Sequence, residues 1–163
     1  MNSEVLTVDM IGADMMGAEG TDDAVRRERQ RAKTSCEPKC LLPDSVRHID
    51  GIGPPVDLNE CRGKLLVVTL GVNAVVERTG LTVSVWGSPD QIEWGTKPLV
   101  SLRQRQYCGV YSALLNLAQR PDVRSLRVEW NITRLGKIER IAQFGFEVFV
   151  EESGARVSSF VCA

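Results

Sequence analysis

The sequence predicts an all-β domain: an antiparallel β-sandwich of jelly-roll or immunoglobulin-like topology, carried behind an extended N-terminal arm that contains a short helix. Three observations predict it. Between Leu65 and Val150 short apolar runs alternate with polar residues at the two-residue period of a half-buried strand. Turn-forming residues such as Gly87-Ser88-Pro89-Asp90 punctuate those runs. Finally, each strand has one apolar face, and burying it stabilises the fold by about 1.5–3 kcal/mol per large side chain. A single sheet leaves such faces wet, so two packed sheets are the economical solution.

Taken in order, residues 1–56 form an arm and linker. Val5, Leu6, Val8, Met10 and Ile11, with Met15 and Met16, have no apolar partner within their own segment. Thr21 to Arg29 fits a short helix capped by Thr21, with Asp22 and Asp23 at the positive end of the dipole and arginines toward the negative end. Its apolar face is only Ala24, Val25 and Ala32, too small to hold a helix alone. Pro38, Pro43, Pro54 and Pro55, with Gly51 and Gly53, predict a linker without regular structure.

The domain spans 57–152. Leu65 to Val76 reads as a long strand, bulged near Gly71, and Leu81, Val83 and Val85 alternate with Thr82, Ser84 and Trp86. Ile92–Trp94 and Leu99–Arg105 read as two short strands. Residues 111–119 fit a helix or a strand, and the all-β surroundings favour the strand. The clearest strand is Val123–Arg134, with Leu126, Val128, Trp130 and Ile132 on one face. Phe144, Phe146, Val148 and Val150 repeat that pattern, and residues 153–163 form a tail whose Val157, Phe160 and Val161 suit an edge strand.

Composition narrows the function. The net charge of −1 gives no global reason to expect nucleic acid or an anionic membrane as partner. The acidic opening lacks the basic start of a signal peptide, and no apolar run is long enough to span a bilayer. A cytoplasmic or particle-assembled protein is therefore expected, with its five cysteines reduced.

Few residues suit catalysis. His48, the only histidine, lies in the linker beside Asp50, a poor setting for a base that must be oriented by a partner. Cys36, Cys40, Cys61 and His48 together supply a donor set adequate for zinc, although incidental thiols are the plainer reading. Cys108 is expected to be a small apolar residue. Asp90, Glu93, Asp122, Glu129 and Glu147 fall on turns or polar strand faces, where solvated charge is ordinary. No cofactor is expected. Trp86, Trp94 and Tyr107 form a possible stacking platform for a glycan. Arg103 and Arg105 read as a polar edge strand, able also to contact an acidic neighbour.

The segments Leu81–Trp94, Ser125-Leu126-Arg127-Val128-Glu129-Trp130 and Phe144-Gly145-Phe146-Glu147-Val148 resemble uncharacterised small bacterial β-sandwich proteins. More loosely, they are similar to the decoration and tail-associated β-domains of phage-like particles. The resemblance covers about residues 57–152 and implies a fold rather than an active site. Gln91-Ile92 stands where the pattern prefers glycine. Together these readings favour a non-enzymatic assembly protein that forms a homo-oligomer or joins other particle subunits through its arm, with a carbohydrate-binding module as the alternative.

Overall fold

A computed structural model describes residues 36–76, 78–137 and 141–154. The expected arm helix, the apolar arm residues Val5 to Ile11 and the tail strand through Val157 and Phe160 lie outside the described residues.

Among the described residues nine strands make two antiparallel sheets: β1 (Lys39–Arg47), β2 (Gly51–Ile52), β3 (Val56–Asp57), β4 (Leu65–Val75), β5 (Thr79–Ser88), β6 (Val100–Arg105), β7 (Gly109–Asn116), β8 (Ser125–Arg134) and β9 (Phe144–Glu152). One sheet has the order β1-β9-β4-β7; the other has β2-β8-β5-β6, with β3 also on β8. Outward from the β5–β6 hairpin the pairing is nested: β5 with β6, β4 with β7, β2 and β3 with β8, and β1 with β9. A long hairpin rolled into two sheets gives this pattern, which is the jelly roll. An immunoglobulin-like sandwich distributes its strands differently.

The core lies between the sheets. Leu66, Val68, Leu70 and Val72 of β4 and Phe144, Phe146, Val148 and Val150 of β9 face Leu81, Val83 and Val85 of β5 and Leu126 and Val128 of β8. These are the apolar faces the alternation predicts. Trp130 shares that face at its rim: half-buried, it meets Phe146 edge-on with ring centroids 6.0 Å apart, and its indole Nε1 donates to the Ile49 carbonyl at 2.9 Å.

Three sequence expectations are corrected. Residues 39–47 are not linker but the edge strand β1. Pro43 is accommodated because the pairing with β9 shifts register on both sides of Leu42, and an edge tolerates a residue without an N–H. Ile92–Trp94 forms no strand; Asp90 Oδ1 accepts the backbone N–H groups of Ile92 and Glu93, each at 2.9 Å, and holds the chain in a loop. The β4 irregularity expected near Gly71 falls between Val72 and Ala74. Gly71 keeps its register, and its missing side chain leaves room for Glu147, whose Cγ lies 3.3 Å from where a Cβ would stand.

The last correction concerns the cysteines. Cys36 and Cys61, expected to be reduced thiols, are joined in a disulfide. A single 3₁₀ turn, Asn59–Cys61, brings Cys61 under the sandwich, and Glu152 accepts the Cys36 backbone N–H at 2.8 Å. Sequence spacing cannot reveal such a pairing. The ambiguous stretch after Tyr111 is strand as far as Asn116.

Candidate functional site

The outer face of the β2-β8-β5-β6 sheet carries the first candidate surface. Because inward residues alternate with outward ones, pairing places Trp86 opposite Arg127, Ser84 opposite Glu129, and Thr82 opposite Asn131. Arg127 donates to Glu129 at 2.6 Å, and its guanidinium stacks 4.4 Å from the Trp94 ring centroid. A groove of about 440 Å³ runs beside this cluster, lined by Asp50, Ile52, Thr82, Ser84, Glu129 and Asn131 among others. Asp50 is engaged there, accepting from Asn131 Nδ2 at 2.7 Å and from the Ile132 N–H at 2.6 Å.

Two of the three expected platform residues therefore meet on one face, and the third does not. Trp86 and Trp94 flank Arg127, whereas Tyr107 sits in the β6–β7 turn, at the opposite end of the β5–β6 hairpin from the loop carrying Trp94. There it joins Val75, Arg78, Gln106, Cys108 and Leu135 around an open cavity of about 690 Å³. Tyr107 is 75% exposed, and its carbonyl accepts the Tyr111 hydroxyl at 2.8 Å.

The carboxylates act mainly as structural acceptors. Asp57 accepts from Ser125 Oγ and Gln91 Nε2, each at 2.7 Å, which holds its pKa below the usual carboxylate value. Asp90 is lowered by the Glu93 and Ile92 N–H groups, Asp122 by Arg120, and Glu152 by the Cys36 N–H and Lys64. A general acid needs the opposite shift. His48 is exposed, its Nδ1 3.2 Å from the Ala142 carbonyl oxygen. No cluster of three or more metal-ligating side chains occurs among the described residues, and two sulfurs of the zinc set are bonded to one another.

The sheet edges carry the second candidate surface, and there the four edges differ. On β6, Arg103 is exposed and Arg105 lies over the Tyr111 ring at 4.2 Å, so arginine guards that edge as expected. β1 carries Pro43, charged residues and register shifts, and β2 and β3 are two residues each. β7 has none of these protections. Its eight residues, Gly-Val-Tyr-Ser-Ala-Leu-Leu-Asn, include no charge and no proline, and no described strand pairs with its outer edge. Its outward side chains Val110 and Leu114 are 76% and 63% exposed. Sequence reasoning missed this site because the helix-or-strand ambiguity hid that the segment is an edge.

No family model matches the chain, and no curated protein matches it. Among solved structures, a chain in the structure of infectious bursal disease virus Gx strain superposes with a TM-score of 0.43 at 10% identity, covering 74% of this chain and 33% of that one. A chain in the Triatoma virus empty capsid gives 0.43 at 12% identity, covering 78% and 94%. The protein thus spans a third of the length of the first neighbour. These likenesses add no support to the bacterial resemblance. No helix among the described residues is long and apolar enough to cross a membrane.

Proposed function

We propose that the protein is a non-enzymatic structural subunit that self-associates by strand addition, the N-terminal arm of one copy pairing along β7 of the next. The observation that carries this reading is the unguarded β7 edge. A long edge with free backbone donors and acceptors is a template for another strand, and proteins ordinarily blunt it with charge, proline or bulges. Here three edges are blunted and the fourth is not. The arm supplies a matching occupant. Glu4–Ile11 equals β7 in length and is unbroken by proline or glycine, and its Leu6, Val8 and Met10 fall on one face of an extended strand. Those three side chains are suited to cover Val110 and Leu114.

The jelly roll itself does not choose, since it serves in particle walls and in sugar-binding domains alike. The test is the solution mass of the chain with and without residues 1–35. The full chain should form a multimer of its 18.0 kDa subunit, and the truncated chain a folded monomer. The cut must precede Cys36, because removing residues 1–40 would also take a disulfide partner and the start of β1. A monomeric full chain, or a truncated chain that still assembles, contradicts the proposal.

A carbohydrate-binding role is the second reading. It is favoured by the meeting of Trp86, Trp94 and Arg127 beside a groove lined with hydroxyl, amide and carboxylate groups.

A further inference from the structure

We propose that the open cavity beside Tyr107 is a binding site for a small aromatic anion, a planar ring carrying a phosphate or carboxylate, with Arg78 holding the anion and Tyr107 the ring. The inference is independent of the strand-addition and glycan readings, since neither uses these residues.

Three parts of the fold meet at the cavity. β4 leads into β5 just before Thr79, β6 into β7 through residues 106–108, and β8 ends opposite Thr79 at Arg134. The described residues that line the space of about 690 Å³ are Val75, Arg78, Gln106, Tyr107, Cys108 and Leu135. That volume suits a small organic molecule, and an apolar wall with a few convergent polar groups is the usual make-up of such a site. Val75 and Leu135 supply the wall and Gln106 an amide. Arg78 is the one charge among these residues, and no carboxylate among them neutralises it.

The backbone at Arg78 shows that its side chain has a use. Three described residues other than glycine have left-handed φ: Asn59 at 48°, Arg78 at 59° and Gln91 at 64°. Asparagine tolerates that conformation, and Gln91 is fixed there by donating from Nε2 to Asp57 and Ser125. Neither reason applies to Arg78. Its side chain is exposed and takes part in none of the ion pairs among the described residues. The turn uses its backbone alone: the Arg78 carbonyl accepts the Leu135 N–H at 2.8 Å, and the neighbouring Thr79 hydroxyl donates to the Val76 carbonyl. Glycine would adopt this φ without cost. A strained arginine at a cavity mouth is kept for what its guanidinium can hold, and a planar fork matches phosphate and carboxylate oxygens.

Tyr107 is held from behind and left free in front. Its carbonyl accepts the Tyr111 hydroxyl at 2.8 Å, and the Arg105 guanidinium lies 4.2 Å from the Tyr111 ring centroid. The Tyr107 side chain is 75% exposed, with no hydrogen bond and no aromatic or cationic partner among the described residues. A fixed backbone carrying an uncommitted ring is ready to stack on a ligand.

Calorimetric titration of the full chain with naphthyl phosphate and with naphthoate tests the proposal, and the two probes decide which anion is preferred. Naphthol and inorganic phosphate serve as the ring without the anion and the anion without the ring. At least one naphthyl anion should bind, and both controls should bind more weakly. Arg78→Gln and Arg78→Gly should each weaken binding roughly tenfold or more, the size of a lost charge-assisted contact. Tyr107→Ala should weaken it about fivefold or more. Arg78→Gly should unfold at a midpoint no lower than that of the unmodified chain, because it relieves the left-handed backbone. Bound probe should also slow alkylation of Cys108, an exposed free thiol on the cavity wall, read by mass spectrometry of its tryptic peptide. Failure of both naphthyl anions to bind the unmodified chain overturns the proposal. So does binding that survives Arg78→Gln, leaves Cys108 unprotected, or is matched by inorganic phosphate. A lowered midpoint in Arg78→Gly would also overturn it, since the side chain would then be kept for stability.

Discussion

The guanidinium carbon of Arg47 lies 5.0 Å from the Trp130 ring centroid and 4.7 Å from that of Phe146, closing one side of the sandwich where β1 meets the rim of β8. Its nitrogens donate to the carbonyls of Phe146 and Pro43, each at 3.0 Å, and of Ser45 at 2.9 Å. Burial lowers its pKa despite Asp44 nearby, so the contacts are made by a partly desolvated charge.

Replacing Arg47 with methionine keeps much of the stem but loses the three carbonyl contacts and the ring stacking. The expected loss is about 1–2 kcal/mol, seen as a lower urea midpoint with an unchanged slope. Lysine in its place should recover only part, since an ammonium lacks the planar fork.

Gly51 pairs with Trp130, and the indole occupies the space a Cβ would need. Gly51→Ala must push the indole off its contacts with Phe146 and Ile49. A destabilisation of about 1–3 kcal/mol follows, together with a change in tryptophan fluorescence that an ordinary surface alanine would not give.

The acid response follows from the lowered carboxylates. Asp57, Asp90, Asp122 and Glu152 all have folded-state pKa values below their ordinary ones. Their contribution is complete above the unfolded values, about pH 4, and is lost as pH falls through the lower folded values. The urea midpoint should therefore drop between about pH 5 and pH 2. Asp57→Asn should flatten that drop, because its side chain still accepts from Ser125 and Gln91 but no longer titrates. An equally steep drop in the variant would remove Asp57 from the account.

Cys61→Ser removes a cross-link spanning 25 residues. The chain-entropy treatment assigns such a loop about 3.5 kcal/mol. Thermal unfolding without reductant should show a lower midpoint in the variant, and added reductant should bring the two proteins together.

For the glycan reading, Trp94→Ala uncovers Arg127 and removes one of the two aromatic faces beside the groove. Retention on immobilised glycans should then fall while the unfolding midpoint holds to within about 1 kcal/mol. Retention that survives the change discards this surface as the platform.

The long strands were legible because their alternation is strict. On β8, Leu126 and Val128 face the core and Arg127 and Glu129 face out, and β9 repeats the scheme with Phe144 and Phe146. β1 was hidden by Pro43 and by two register shifts that break the two-residue period. The Cys36–Cys61 bond and the Arg47 stack join residues far apart in sequence, which periodicity does not encode. Of the candidate site, the sequence singled out Trp86 and Trp94 but not Arg127, which joins them. Nor could composition mark β7 as an edge, since that depends on which strands pair and which are left outside.

The central claim is that β7 is an assembly edge, and light scattering of the full chain beside a V110K/L114K variant tests it most directly. Two lysines on that edge repel an added apolar strand while facing away from the core. The account predicts a multimer for the unmodified chain and a folded 18 kDa species for the variant. A variant that assembles as well as the unmodified chain would contradict it.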